Sequence, residues 1–301
     1  MTATAHFPLA YQHVDVFAAR PFTGNSLAVF ADAADLSPGQ MQAITREMRH
    51  FESIFLAPLA SPGEYRVRVF DLNEELDFAG HPLLGAACVL HAETGSSEER
   101  SWTLHLNART VTVRTARLGP DRFAAILDQG APEFLGTPGP HLRGEIARWF
   151  SLSAADLDPE LPPEVVSTGL RYLVVPVMPA ALERARIIVP DLEHRLAGLG
   201  AQFAYLVDAS SREGRHWNND GVIEDVATGS GAGTVAAYLV RHGRIEPGAE
   251  WILHQGRFTG RPSEIRLQAN GSPTAIHSIL VKGEVALVAE GSLVALPGEA
   301  L

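Results

Sequence analysis

Glu52 stands where a charge is costly. Its neighbours Phe51, Ile54, Phe55 and Leu56 are apolar, and on an extended strand the alternation of side chains puts Glu52 on the face of Ile54 and Leu56. Burial there disfavours the ionised form, the condition that suits a carboxyl to general acid-base catalysis. The competing reading is an amphipathic strand with Glu52 turned to solvent. A second candidate is His81, between Gly80 and Pro82 at the start of an apolar run. The positive end of a helix dipole would keep its ring neutral and able to take or give a proton, although a histidine there can equally just fill space. Asp225, next to Glu224 and shortly before a second run of small residues, is the third; a carboxylate in that place serves equally well as a helix cap.

Two glycine turns precede the two apolar runs, Ala79-Gly80-His81-Pro82 and Thr228-Gly229-Ser230-Gly231. Each would expose backbone N–H groups at a helix start, where glycine lets a ligand come close to the main chain. The pair predicts a site for a carboxylate or similar small anion, bound by Gly80, Gly229, Ser230 and Gly231. Tight helix entry is the plainer use of the same glycines.

Other chemistries lack their residues. The 12 histidines are scattered without ligand spacing, so no metal is expected. The single cysteine, Cys88, permits no internal disulfide and no two-thiol mechanism. The one lysine, Lys282, reads as the tip of a hairpin in Lys282-Gly283-Glu284, which argues against pyridoxal phosphate and a P-loop. Gly229, Gly231 and Gly233 miss the dinucleotide spacing and follow two acidic residues, so no nicotinamide or flavin cofactor is expected either.

The elements that must position these groups can be read from periodicity. Strands are expected over residues 13–17, 27–30, 51–56, 65–70, 103–106, 110–115 and 122–127, with a helix capped by Ser37 between the second and third. A helix over residues 82–94 is apolar nearly all round and should be wrapped by strands. Residues 130–140, with three prolines and three glycines, have the composition of a linker. Beyond it, strands are expected at 165–166, 173–177, 187–189 and 204–207, and a small-residue helix over 231–242. A shift of 150 positions superposes Glu74-Glu75 on Glu224-Asp225 and Ala86-Ala87 on Ala236-Ala237. Upstream stand Arg68-Val69-Phe70 and Arg215-His216-Trp217. Two duplicated lobes follow, 1–129 and 130–278, with strands of 279–301 returning to the first.

An apolar fraction of 46% and only 20% charged residues describe a core-forming protein. The net charge of -11 has no basic run to neutralise phosphates, so no nucleic-acid partner is expected. No apolar stretch approaches the ~20 residues that span a bilayer, and no leader is apparent; no membrane partner and a cytoplasmic location are the expectation.

Five ordered segments then combine: Asp15-Val16-Phe17 with Gly24-Asn25-Ser26-Leu27-Ala28-Val29-Phe30; Glu52-Ser53-Ile54-Phe55; Phe78-Ala79-Gly80-His81-Pro82; Glu224-Asp225 with Thr228-Gly229-Ser230; and Gln255-Gly256 with Gly260-Arg261-Pro262-Ser263. Together they resemble the PhzF-like phenazine-biosynthesis family, related in fold to diaminopimelate epimerase. The resemblance implies an α+β fold of two pseudo-symmetric lobes, each a mainly antiparallel barrel-like sheet rolled around a central helix. It implies a cofactor-independent isomerase of natural-product (antibiotic) biosynthesis. Glu52 would move a proton between substrate carbons, His81 and Asp225 would assist, and Asn25 and Ser53 would join the anion-binding groups. The partner would be a small carboxylate such as a dihydro-hydroxyanthranilate, and a homodimer is the default assembly. Departures stand at Phe51, Ser53 and His254, where the family usually has serine, threonine and glutamate. Two rival readings are a non-catalytic binding or scaffold protein on the same fold, and an epimerase or racemase, whose paired thiols this chain lacks.

Overall fold

The computed structural model describes residues 8–298. The chain divides into two compact units, one of residues 1–128 and 282–301, the other of residues 129–281.

In the first unit the strands are β1 (Leu9–Val16), β2 (Asn25–Phe30), β3 (Glu52–Pro58), β4 (Glu64–Asp71), the short β5 (Glu75–Leu76), β6 (Arg100–His105), β7 (Thr110–Gly119) and β8 (Arg122–Asp128). Two helices interrupt them, α1 (Pro38–Met48) and α2 (Gly80–Glu93). β1 pairs with β2, β3 with β4, β6 with β7 and β7 with β8, all antiparallel, while β2–β3 and β4–β6 are parallel. The chain's last strand lies antiparallel to β1 and also joins β8, which closes the barrel. Alternation of buried with less buried residues over 110–115 of β7 and along β8 shows one face turned inward.

What fills that interior is α2, buried from Gly80 to His91 and packed against β1, β2, β3, β6, β7 and β8. It has no polar face because strands surround it. Gly85 lets it approach the wall: a Cβ there would lie 2.5 Å from Leu27 Cδ2. Outside the barrel, α1 covers Phe55 and Phe70 with Met41 and Ile44. Its start is fixed by a capping box, Ser37 Oγ accepting from the Gln40 N–H and Gln40 Oε1 from the Ser37 N–H.

The second unit repeats this order. β9 (Glu133–Gly136) and α3 (Arg143–Trp149) lead to β10 (Glu164–Ser167) and β11 (Arg171–Pro176). Then come α4 (Ala181–Arg184), α5 (Leu192–Gly198), β12 (Phe203–Asp208), β13 (Glu213–Trp217) and the short β14 (Glu224–Asp225). α6 (Gly229–Arg241), β15 (Glu250–Gln255), β16 (Ser263–Ser272) and the start of β17 (Ala275–Leu293), which from Lys282 onward belongs to the first unit, complete it. Here β11–β12 and β13–β15 are parallel, as are β2–β3 and β4–β6, and β9–β10, β10–β11, β12–β13, β13–β14 and β15–β16 are antiparallel. Gln129 and Gly130 exchange backbone hydrogen bonds with Ile279 of β17. The buried helix is α6, packed on β10, β11 and β16. Each unit is thus a mainly antiparallel barrel around one apolar helix, the expected fold class.

The duplication is visible in an ion pair. Arg68 on β4 grips Glu75 on β5 with two hydrogen bonds, and Arg215 on β13 grips Glu224 on β14 in the same way. The counterpart of Glu75 is therefore Glu224, one position away from the alignment that the 150-residue shift gives. Asp225 then stands where the first unit has Leu76: His216 faces Asp225 across β13 and β14, as Val69 faces Leu76 across β4 and β5.

Other expectations are corrected. Residues 130–140 contain β9, paired with β10, so their glycines and prolines bound a strand. Residues 187–189 form no strand, because their backbone is tied elsewhere: the Ile188 N–H donates to Trp149 O and the Arg186 N–H to Phe150 O. Lys282-Gly283 is no hairpin tip but lies inside β17, where Gly283 makes room for the Phe17 ring; a Cβ there would sit 2.4 Å from Phe17 Cδ1. The two central helices begin at Gly80 and Gly229, two residues earlier than periodicity placed them, so the glycine turns are helical first turns.

Candidate functional site

In the first unit the parallel pairing of β2 with β3 sets Leu27 beside Glu52, which places Asn25 and Glu52 at the starts of their strands. Glu52 points to the inner face, and the first turn of α2 delivers His81 to it. His81 Nδ1 lies 3.0 Å from Glu52 Oε2 and 3.3 Å from Asn25 Nδ2. Glu52 is 7% exposed, His81 3% and Asn25 1%. One nitrogen facing a carboxyl oxygen can share one proton: either Nδ1–H donates to the carboxylate, or a protonated Glu52 donates to bare Nδ1. A carboxyl and an imidazole so placed are fitted to pass that proton. Ser53, by the alternation of β3, lies on the opposite face with Phe55 under α1, fully buried. It is not brought to Glu52.

In the second unit Asp225 is 2% exposed at the end of β14. Thr228 Oγ1 donates to its Oδ2 at 2.5 Å. Ser230, in the first turn of α6, has its Oγ 2.8 Å from the Tyr172 hydroxyl. Gly229 presents its carbonyl to Gln129 Nε2 at 3.1 Å. Gly231 faces protein: a Cβ there would be 2.6 Å from Tyr205 Cδ2, so the missing side chain admits a buried ring. Counting from the matched acids, His81 corresponds to Ser230 and Ala79 to Thr228. Neither α2 nor α6 has a side-chain cap bond, and neither carries an acidic residue in its first turn. The carboxyl groups that stand at these two helix starts come from other elements, Glu52 beside His81 and Asp225 beside Thr228.

Burial lowers the proton affinity of His216, with the negative charge of Asp225 opposing that shift. Burial first, and then the charge of Asp225, push the Tyr205 phenol well above its ordinary value. Both groups are neutral near pH 7. His216 Nδ1–H donates to Ala204 O at 2.9 Å, and the Tyr205 hydroxyl donates to Gln255 Oε1 at 2.7 Å. Among the described residues no group of three or more His, Cys, Asp and Glu gathers to hold a metal. Sequence reasoning did not single out Tyr172, Tyr205 or Gln129 as site groups, since only folding brings them to the start of α6; Thr228 stood in the turn already read there but was not taken as a site group.

The family model for phenazine biosynthesis-like proteins, PhzC-PhzF, matches residues 14–291. The chain belongs to this family. It is similar to the trans-2,3-dihydro-3-hydroxyanthranilate isomerase of Pseudomonas fluorescens, 34% identical over 94% of this chain and 99% of the relative. A solved structure described as a predicted epimerase from Pseudomonas aeruginosa is 51% identical, with a TM-score of 0.90 over 95% of this chain and 99% of that one. A PhzF-family phenazine biosynthesis protein of Bacillus anthracis, 23% identical, shares the fold at a TM-score of 0.83 over 96% and 100% of the two chains. The chain is an isomerase of the PhzF family.

Proposed function

We propose that this isomerase moves a proton and a double bond within a small unsaturated amino or carboxylic acid of the trans-2,3-dihydro-3-hydroxyanthranilate type, without a cofactor. The reading is carried by Glu52, a carboxyl 7% exposed with His81 Nδ1 3.0 Å away. Glu52 takes a proton from an activated C–H; the electron pair left behind becomes the new double bond; the same carboxyl returns the proton to the far carbon of the shifted system. Charge and atoms balance without an oxidant. His81 assists by exchanging its Nδ1 proton with Glu52. The first-turn N–H of Gly80 and the Asn25 side chain, beside Glu52 and His81, hold the substrate's polar groups. Asp225 is the second carboxylate of the reaction. The match to a named dihydrohydroxyanthranilate isomerase supports this substrate class.

An epimerase is the second reading, favoured by the description of the 51% identical structure. A thiol base is poorly suited to it here: Cys88 is fully buried inside α2, and burial pushes its thiol far up. The two readings separate in heavy water with trans-2,3-dihydro-3-hydroxyanthranilate. Double-bond migration with deuterium in the product, abolished or cut at least ~100-fold in Glu52→Gln, supports the isomerase. Exchange without migration favours the epimerase, and full turnover by Glu52→Gln removes Glu52 from the chemistry.

A further inference from the structure

Four buried groups of the second unit, Tyr205, Gln255, Thr228 and Asp225, form one chain of hydrogen bonds. The Thr228 backbone N–H can only donate, and its partner at 3.1 Å is an amide atom of Gln255, which must therefore be the oxygen Oε1. The Tyr205 hydroxyl donates to that same oxygen. At the other end of the amide, Nε2 spends its two hydrogens on Asp225 O at 2.9 Å and Thr228 Oγ1 at 3.0 Å. Thr228 Oγ1 accepts from Nε2 and donates its own hydrogen to Asp225 Oδ2, 2.5 Å away.

The chain is anchored at its far end. Tyr205 is 0% exposed, its ring held between two glycines; a Cβ at Gly214 would lie 2.4 Å from Cε1 and one at Gly231 2.6 Å from Cδ2. Burial keeps its hydroxyl protonated as a donor. At the near end, Thr228 occupies the N-cap position of α6 yet makes no side-chain cap bond, so its hydroxyl is not used to start the helix. The first unit lacks both partners, having Ala79 and Leu76 at the matching places. Duplication of the fold therefore does not by itself require them.

We propose that Thr228, oriented by Gln255 and Tyr205, is a positioning residue that presents the Asp225 carboxylate to the reaction as a hydrogen-bond acceptor. The proposal rests on the reading that Asp225 takes part in the proton shift. Three variants test it. Thr228→Val keeps the shape and removes the hydroxyl, whereas Thr228→Ser keeps the hydroxyl. Gln255→Glu, once ionised, turns the donor at Nε2 into an acceptor and draws the Thr228 proton away from Asp225.

With trans-2,3-dihydro-3-hydroxyanthranilate, kcat of Thr228→Val should fall roughly 10- to 100-fold, the range for a hydrogen bond to a charged group. KM should change little, Thr228→Ser should restore kcat, and Gln255→Glu should fall with the valine variant. A Thr228→Val enzyme that folds and turns over like the wild type overturns the proposal. If the wild type does not act on this compound, the proposed function fails separately, and crystal structures decide the relay. A turned Asp225 carboxylate in Thr228→Val but not in Thr228→Ser supports it, and an unmoved one overturns it.

Discussion

Arg215 and Arg68 hold equivalent places in the two units, so deleting their acidic partners separates the effect of burial from that of the ion pair itself. Arg215 and Glu224 have side chains 9% and 14% exposed, against 21% and 24% for Arg68 and Glu75. Arg215 is packed against the rings of Trp217 and Phe258, with centroids 4.4 and 4.1 Å from its guanidinium carbon, and donates to the carbonyls of Leu182 and Ala185. Glu224→Ala strands this cation away from water. Removing one member of a buried pair costs about 3–5 kcal/mol, and the two carbonyls hold the expectation near the lower figure.

Glu75→Ala leaves Arg68 able to turn outward and deprives Asn107 of its bond to Glu75, for about 1 kcal/mol. The hydrogen bond from Arg68 holds Glu75 below its usual carboxylate value. That stabilisation is complete above the ordinary value of 4.5 and is lost as pH falls through the folded value, so the comparison is run at pH 7. With a urea slope of about 2 kcal/mol/M, Glu224→Ala should move the midpoint of its transition down by about 1.5 M and Glu75→Ala by about 0.5 M. Tryptophan fluorescence and far-UV circular dichroism follow unfolding, and midpoints are compared transition by transition because two units need not melt together. Equal shifts, or a larger one for Glu75→Ala, would refute the assignment of burial as the deciding factor. Because Glu224 adjoins Asp225, the same variant should also lose turnover.

Gly231→Ala should destabilise by about 1–3 kcal/mol, since its Cβ meets the rigid Tyr205 ring at 2.6 Å; an unchanged melting temperature would show that the ring has room to move. His216 and His91 are both held below the ordinary histidine value of 6.5 by burial. The unfolded chain therefore binds their protons first, and stability should decline as pH drops below 6.5. His216→Phe should flatten part of that decline in urea titrations at pH 7 and pH 5; an unaltered slope would show that His216 does not titrate on unfolding.

Local pattern alone determined a good deal of this protein. Alternation around Glu52 placed it on the inner face of its strand, because side-chain direction on a strand needs no knowledge of the neighbours. Apolar residues around the full circumference of 82–90 marked a helix enclosed by strands, and Ser37 marked the start of α1. The short range of those signals is also their limit. Lys282-Gly283 has turn composition, yet the glycine answers to Phe17, which is 266 positions away in sequence and adjacent in space. Ile187–Val189 has strand composition, yet its backbone bonds are taken by the end of α3. Above all, the grouping of Tyr205, Gln255, Thr228 and Asp225 joins β12, β15 and the turn before α6 through side-chain hydrogen bonds. Hydrogen bonds constrain partners within about 3 Å, whatever their separation in the chain, so only the closed barrel could decide which hydroxyl faces which carboxylate.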